Sequence, residues 1–222
     1  MINVISYSGI GNLESNQDTI VTRTIGDGGI YIVADGMGGY EAGEKASYIA
    51  AHTIEAYLSN GYTLKQATVA ANKEIQKTAW ELNARKMGTC IAGILIEGCS
   101  AKCFWVGDSR VYLFREGKEI FRTQDHSPLA ALEKSGYVSD ELRARYAHVV
   151  SRAMMGGERD FLDEHPLNLK VGDEIIVCSD GLYKTWSAKC LLDMIHQGEC
   201  VDFSTYNASF SDNYSFIYIR IG

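Results

Sequence analysis

The chain has 222 residues, of which 46% are hydrophobic and 22% charged, and this is an ordinary globular composition. The formal net charge of −7 argues against a general nucleic-acid binder or an anionic-membrane binder, because either would need a basic face. No signal peptide or membrane-spanning apolar run is visible, and the 6 cysteines form no Cys-x-x-Cys pair. With 2 prolines and no linker-like stretch, residues 1–222 are predicted to form a single domain of a reduced, cytoplasmic protein.

The first 86 residues contain three strand patterns followed by two helical patterns. Residues 2–8 and 18–25 have strand patterns, and the glycine-rich residues 26–29 join the second strand to an apolar strand at 30–34. Apolar residues between 46 and 58 recur on one helical face, and Asn60-Gly61 is typical of a helix end. A second helix is predicted from about residue 64 to residue 86.

From Gly88 onward the period changes to that of strands. Residues 88–97, 100–106, 110–115 and 118–122 are predicted to form an antiparallel meander, because short turns separate runs of β-branched and aromatic residues. The polar, helix-like residues 127–146 are expected to cover the mouth of a cleft. A strand at 173–179, a short helix around 188–196 and a strand at 214–221 complete the chain. The pattern predicts sheet packed on sheet with helices outside.

Aspartates stand where apolar strands end. Asp35, Asp108 and Asp180 each follow such a strand, Asp18 closes Asn-Gln-Asp, and Asp212 precedes the last strand. A single Asp-Gly is most often a turn, but the repetition suggests carboxylates gathered at one rim. Two carboxylates roughly 4 Å apart repel by about 4 kcal/mol at an effective dielectric of about 20, so a cluster needs a cation. Oxygen ligands without histidine or thiolate favour magnesium, manganese or calcium over zinc.

A series of short motifs carries a family resemblance. They are Asn16-Gln17-Asp18, residues 33–39 (Val-Ala-Asp-Gly-Met-Gly-Gly), Gly88-Thr89, residues 106–110 (Val-Gly-Asp-Ser-Arg), Ser151-Arg152, residues 178–181 (Cys-Ser-Asp-Gly) and Asp212-Asn213. In order and approximate spacing this set resembles the bacterial-like, metal-dependent serine/threonine protein phosphatases of the phosphatase 2C type. The resemblance implies an α+β fold, a four-layer α-β-β-α sandwich of two antiparallel sheets flanked by helices. It also implies hydrolysis of phosphoserine and phosphothreonine in proteins by attack of metal-bound hydroxide.

The resemblance also implies ligands for two Mn²⁺ or Mg²⁺ ions. Asp35 would bridge the two ions, and the carbonyl of Gly36 would bind one of them. Asp180 and Asp212 would complete the protein ligands of the first ion. Asp108 would help to hold a looser third ion.

Other residues are expected to act around the ions. Asp18 would be catalytic by orienting metal-bound water, and Asn213 would brace its loop. Gln17 stands where many family members have glutamate, so the second ion should bind more weakly. Met37 occupies a position where some members have a histidine acid. Because a thioether cannot transfer a proton, metal-bound water would have to protonate the leaving group.

Leu13 is the most serious departure from the family pattern, because family members usually have an arginine there that grips the substrate phosphate. Loss of such a charge-assisted bond should cost roughly 1.5–3 kcal/mol, so weak substrate binding is expected unless another cation substitutes. Arg23 and Arg152 are the nearest candidates. Leu13 and Gln17 also support an alternative, a catalytically weak or inactive phosphatase-like module that binds phosphoproteins or a signalling partner.

The expected partner is a phosphorylated protein substrate, with the enzyme acting as a monomer opposed to a serine/threonine kinase. Neither a nucleic acid nor a membrane is expected to bind. The remaining reactive side chains have simpler interpretations. His126 and His148 should have surface or hydrogen-bonding roles, Cys178 should be an inert buried thiol, and Ser109 lacks a histidine base.

Overall fold

The computed structural model describes residues 1–37, 40–136, 138–147, 149–158, 160–197 and 202–222. Gly38, Gly39, His148 and Cys200, which the sequence analysis considered, lie outside these ranges. Within them the strands form two five-stranded antiparallel sheets. No helix of the described ranges is long and apolar enough to cross a membrane.

The first sheet has the order β2-β3-β4-β5-β8, and its strands are β2 (Asp18–Ile25), β3 (Gly28–Met37), β4 (Gly88–Glu97), β5 (Ser100–Val106) and β8 (Asp163–Asn168). The second sheet has the order β1-β10-β9-β6-β7, and its strands are β1 (Ile2–Gly9), β6 (Arg110–Arg115), β7 (Lys118–Arg122), β9 (Glu174–Cys178) and β10 (Tyr214–Ile221). Helices α1 (Tyr40–Ser59), α2 (Leu64–Glu81), α3 (Pro128–Ser135), α4 (Asp140–Tyr146), α5 (Asp180–Thr185) and α6 (Ala188–His196) accompany a 3-10 helix at Phe203–Ser209.

Strand β3 is apolar throughout because both of its faces are buried. Ile30 and Ile32 pack with residues of α1 and α2, whereas Tyr31 and Val33 point into the layer between the two sheets. On the far face of the second sheet, residues of α6 and the 3-10 helix pack against β9 and β10. The fold therefore has four layers, in the order helices, sheet, sheet and helices, with apolar residues packed between each pair of neighbouring layers. The predicted α+β sandwich is confirmed.

The predicted meander after Gly88 is wrong between residues 106 and 110. Strands β4 and β5 pair in the first sheet, but β6 and β7 belong to the second, so the chain crosses between the sheets at Gly107-Asp108. Gly107 allows this crossing because its φ is +93°, and a Cβ there would lie 2.2 Å from Sγ of Cys90. Local alternation identifies a strand but not the sheet that it joins.

Two other elements differ from what the sequence pattern indicates. The second helix was predicted to reach residue 86, but α2 ends at Glu81, and Asn83 has a left-handed φ of 51°. Strand β8 has no sequence prediction because Pro166 and charged residues interrupt its pattern, which is tolerated at the edge of a sheet. The single-domain organisation of residues 1–222 stays a prediction.

Candidate metal centre

Asp18 and Asp35 face each other across neighbouring strands. They are partners in the antiparallel register of β2 and β3, and such pairs place Cβ atoms about 4.5–5.5 Å apart on one face. After Asp35 the backbone turns closely against its neighbours, because the amide of Gly36 donates to the carbonyl of Gln17 at 3.1 Å. A Cβ at Gly36 would lie 2.2 Å from the carbonyl oxygen of Gly43, so only glycine fits at this point.

Asp180 and Asp212 come from the second sheet, at the end of β9 and just before β10. Their segments touch at Gly181, where a Cβ would lie 2.0 Å from the carbonyl oxygen of Asn213 and 3.4 Å from Cβ of Asp212. Ser179 links this sheet to the first, because its hydroxyl donates to Oδ2 of Asp18 at 2.8 Å. The two sheets therefore bring their aspartates to one edge of the sandwich.

Asp108 reaches the same place from the crossing between the sheets. Lys184 stands beside it, one helical turn after Asp180. The Nζ atom of Lys184 forms an ion pair with Oδ2 of Asp180 and lies 4.0 Å from Oδ2 of Asp108. The hydroxyl of Tyr183 donates to the backbone carbonyl of Asp108 at 3.0 Å, which fixes the crossing against α5.

The pKa of Asp18 reflects its burial and the neighbouring carboxylates. Burial raises the pKa of Asp18 to about 7, and the charges of Asp180 and Asp212 add to the increase, whereas hydrogen bonds from Ser215 and Ser179 oppose it. The contributions of Asp180 and Asp212 show that carboxylates from both sheets lie close to Asp18.

Asp35 and Asp108 respond in the same way. Burial raises the pKa of Asp35 well above its usual range, and repulsion by Asp18, Asp180 and Asp108 raises it further. Burial, followed by repulsion from Asp180, raises the pKa of Asp108 to about 6, although the ammonium group of Lys184 lowers it. The structure therefore brings Asp18, Asp35, Asp108 and Asp180 together, with the exposed Asp212 at the rim.

The donor set fits a hard divalent cation. All of these side-chain donors are carboxylate oxygens, the ligands that magnesium and manganese prefer. The Oδ1 atom of Asp18 is buried and accepts no hydrogen bond from the described residues, so it is available to water held in the pocket. In the described ranges, no group of three or more Asp, Glu, His or Cys residues stands in a geometry that could hold an ion.

Asn213 braces the loop at residues 10–17, as predicted. Its side-chain amide donates to the carbonyls of Ile10 and Ser15 at 2.8 and 3.0 Å, and its Oδ1 accepts from the amide of Gln17 at 2.9 Å. Leu13 lies in this loop and is 42% exposed.

Arg23 was a candidate for the missing phosphate-gripping arginine, and this interpretation is wrong. It lies five residues along β2 from Asp18, which corresponds to about 17 Å, and it pairs with Glu55 on α1 at 2.6 Å. Arg152, the other candidate, forms an ion pair with Asp163 at 2.8 Å, so its guanidinium group already binds a carboxylate of this chain.

Lys184 is the residue that the sequence analysis missed. Its spacing of four residues from Asp180 would have been the available signal, because residues i and i+4 meet on a helix. That signal requires knowing that a helix begins at Asp180, and a six-residue helix is too short to show a period.

The other reactive side chains have structural roles. His126 accepts from the amide of Gly107 at 3.1 Å through Nδ1, and its Nε2 lies 3.1 Å from Asp163, so the predicted hydrogen-bonding role is confirmed. Burial raises the pKa of the Cys178 thiol to about 12, which leaves it inert at neutral pH. The Oγ atom of Ser109 is buried and has no hydrogen-bond partner in the described part of the chain, so no base activates it there.

Comparison with known proteins gives a consistent result. A family model described as Protein phosphatase 2C matches residues 7–212. The serine/threonine protein phosphatase PstP of Mycobacterium tuberculosis is 30% identical over 183 residues, which cover 77% of this chain and 35% of PstP. A putative protein phosphatase 2C-type protein of Streptococcus pyogenes is 26% identical over 186 residues, which cover 78% of this chain and 76% of that protein.

Solved structures match over nearly the whole chain. The crystal structure of the Mycobacterium tuberculosis phosphatase PstP has a TM-score of 0.80 at 25% identity and covers 99% of this chain and 98% of that one. The catalytic domain of PstP in complex with two manganese ions has a TM-score of 0.79 at 26% identity and covers 99% of this chain and 97% of that one.

Proposed function

Because the chain belongs to the protein phosphatase 2C family, we propose that it is a Mn²⁺- or Mg²⁺-dependent phosphatase that hydrolyses phosphoserine and phosphothreonine in proteins. The observation that carries the proposal is the shared pocket of Asp18, Asp35, Asp108 and Asp180, in which burial and mutual repulsion raise carboxyl pKa values. Such crowding lowers the stability of the metal-free protein, and cations that neutralise the carboxylates remove this repulsion.

Each aspartate would have its own part in this centre. Asp35 and the carbonyl of Gly36 would contribute ligands from the first sheet, and Asp180 and Asp212 from the second. Asp108 would serve a more loosely held third ion. When bound, two divalent cations supply an acidified water and neutralise the charge of the phosphoryl oxygens.

Asp18 would orient water. Ser179 holds its Oδ2 at 2.8 Å, so the carboxylate cannot rotate freely, and its buried Oδ1 can accept a hydrogen bond from a water molecule in the pocket. Gln17 contributes no charge, so we expect the second cation to bind more weakly than it would beside a glutamate. Met37 cannot donate a proton, and the proton for the leaving group must come from water.

The biological setting belongs to the same proposal. PstP is named a serine/threonine protein phosphatase, and by analogy this chain would act on phosphorylated proteins, as a cytoplasmic monomer opposed to a serine/threonine kinase. No role with nucleic acid or membrane is proposed. The alternative of a phosphoprotein-binding module without turnover rests on Leu13 and Gln17, whereas retention of mutually repelling carboxylates in one pocket supports the enzyme.

Hydrolysis of p-nitrophenyl phosphate tests the proposal. We expect turnover that requires Mn²⁺, stops in EDTA, and is lost in Asp35→Asn. The matched control is Asp193→Asn, which removes a surface carboxylate that pairs with Lys189 on α6 at 2.5 Å. If pure protein has no metal-dependent turnover on this substrate or on a phosphothreonine peptide, the proposed activity is wrong.

A further inference from the structure

We propose that Lys184 is a built-in counter-ion of the metal centre, which neutralises Asp180 and Asp108 in the metal-free protein and competes with the divalent cation for them. The inference rests on the proposed metal centre and concerns a residue to which the family resemblance assigned no role. It predicts that removing the ammonium group weakens the metal-free fold but strengthens metal binding.

The placement of Lys184 follows from the start of α5. Helix α5 begins at Asp180, so Lys184 lies one turn later on the same face, and its Nζ pairs with Oδ2 of Asp180. The same Nζ lies 4.0 Å from Oδ2 of Asp108, which arrives from the crossing between the sheets. One ammonium group therefore contacts carboxylates from two separate parts of the fold.

Burial distinguishes this pair from ordinary surface pairs. The side chain of Lys184 is 28% exposed and those of Asp180 and Asp108 are each 12% exposed. The pair of Lys189 and Asp193 on α6 has the same i,i+4 spacing, but its side chains are 52% and 51% exposed. Because water screens the surface pair more strongly, the charge of Lys184 has much the larger effect on its surroundings.

Competition follows from the position of Nζ. A divalent cation that takes Asp180 as a ligand would lie against the same carboxylate that Lys184 contacts, and the two cations would repel each other. Lys184 and the ion therefore compete for the negative charge of Asp180.

The test measures Mn²⁺ affinity by isothermal titration calorimetry and thermal unfolding in EDTA, with Mn²⁺ alone as the probe. In Lys184→Met we expect a lower melting temperature in EDTA and a Kd for Mn²⁺ that falls by about tenfold, because a charge-assisted contact no longer has to be broken. Lys184→Arg keeps the charge and should bind Mn²⁺ nearly as the wild type does. Lys189→Met is the matched control and should leave the Kd unchanged.

The opposite changes in stability and in Mn²⁺ affinity distinguish this role from simple structural support. A residue that only supported the fold would lower the melting temperature and weaken Mn²⁺ binding when removed, and that result would overturn the inference. Lys184→Gln provides a second test if the methionine variant does not fold, because a glutamine amide can donate to a carboxylate without carrying a charge, and the same tighter Kd is expected.

The failures of the two proposals are distinguishable. Wild-type protein that binds no Mn²⁺ would overturn both the metal centre and this role of Lys184. Wild-type protein that binds Mn²⁺ with the same Kd as Lys184→Met and Lys184→Gln would overturn the counter-ion role alone.

Discussion

Replacing Asp18 with asparagine measures the free-energy cost of holding an ionised carboxylate in this buried pocket. The substitution keeps the size of the side chain and an oxygen that can accept from the Ser179 hydroxyl. It removes the negative charge that Asp180 and Asp212 repel, and its amide group can donate to neighbouring carboxylates. In metal-free protein at alkaline pH we therefore expect Asp18→Asn to be more stable than the wild type.

The magnitude follows from the pKa of Asp18, which rises from 3.8 to about 7 on folding. Between these values the folded state binds more protons than the unfolded state, so stability falls as pH rises from about 4 to about 7. At 1.36 kcal/mol for each pH unit, ionised Asp18 costs about 4 kcal/mol at pH 8 and about 2 kcal/mol at pH 5. After subtracting about 1 kcal/mol for a weaker bond from Ser179, Asp18→Asn should gain about 3 kcal/mol at pH 8.

Urea unfolding in EDTA at pH 5, 6, 7 and 8 measures this difference. The gain should be largest at pH 8 and small at pH 5, so the variant should show the weaker dependence of stability on pH. Asp193→Asn is the matched control, because its carboxylate is exposed, and the change should leave the dependence unaltered. An Asp18→Asn protein that is no more stable than the wild type at pH 8 would refute the argument that the pocket destabilises ionised Asp18.

Three further outcomes are expected. Mn²⁺ at 100 times its Kd should stabilise the protein by about 2.7 kcal/mol at pH 7.5. The same Mn²⁺ concentration should stabilise it less at pH 5.5, because protons then occupy the carboxylates. Scanning fluorimetry would measure the melting temperature at both pH values. Gly181→Ala should lower the free energy of unfolding in urea by more than about 3 kcal/mol, because its Cβ would lie 2.0 Å from the Asn213 carbonyl oxygen. Gly61 has a φ of +78° but open space around it, so Gly61→Ala should lower the free energy of unfolding by only about 1 kcal/mol. Asn213→Ala should cost about 3 kcal/mol because it removes three hydrogen bonds, and Asn12→Ala, which removes one exposed bond of 3.3 Å, should cost no more than about 1 kcal/mol in the same assay.

The parts of the fold that could be predicted are those whose patterns are local. Strand β3 and its terminal Asp35 follow from an apolar run that ends in glycines, and the hairpin between β2 and β3 follows from the glycines at its turn. The first helix follows from one apolar face. The ordered motifs then identified the family and with it the α+β sandwich, so the aspartates of the pocket could be named before their positions were known.

Tertiary structure decided the features that depend on which distant segments meet. Alternation predicted strands β5 and β6 correctly but not that they lie in different sheets, and that difference is what carries Asp108 into the pocket. Arg23 and Lys184 are both cations near aspartates in sequence, yet only Lys184 pairs with an aspartate of the pocket, because helix α5 turns it toward Asp180 while β2 extends Arg23 away from Asp18. The local order of residues determines the hydrophobic period and the buried face of each helix or strand. Which other element packs against that face depends on the whole chain, because segments far apart in sequence compete to pack at the same position.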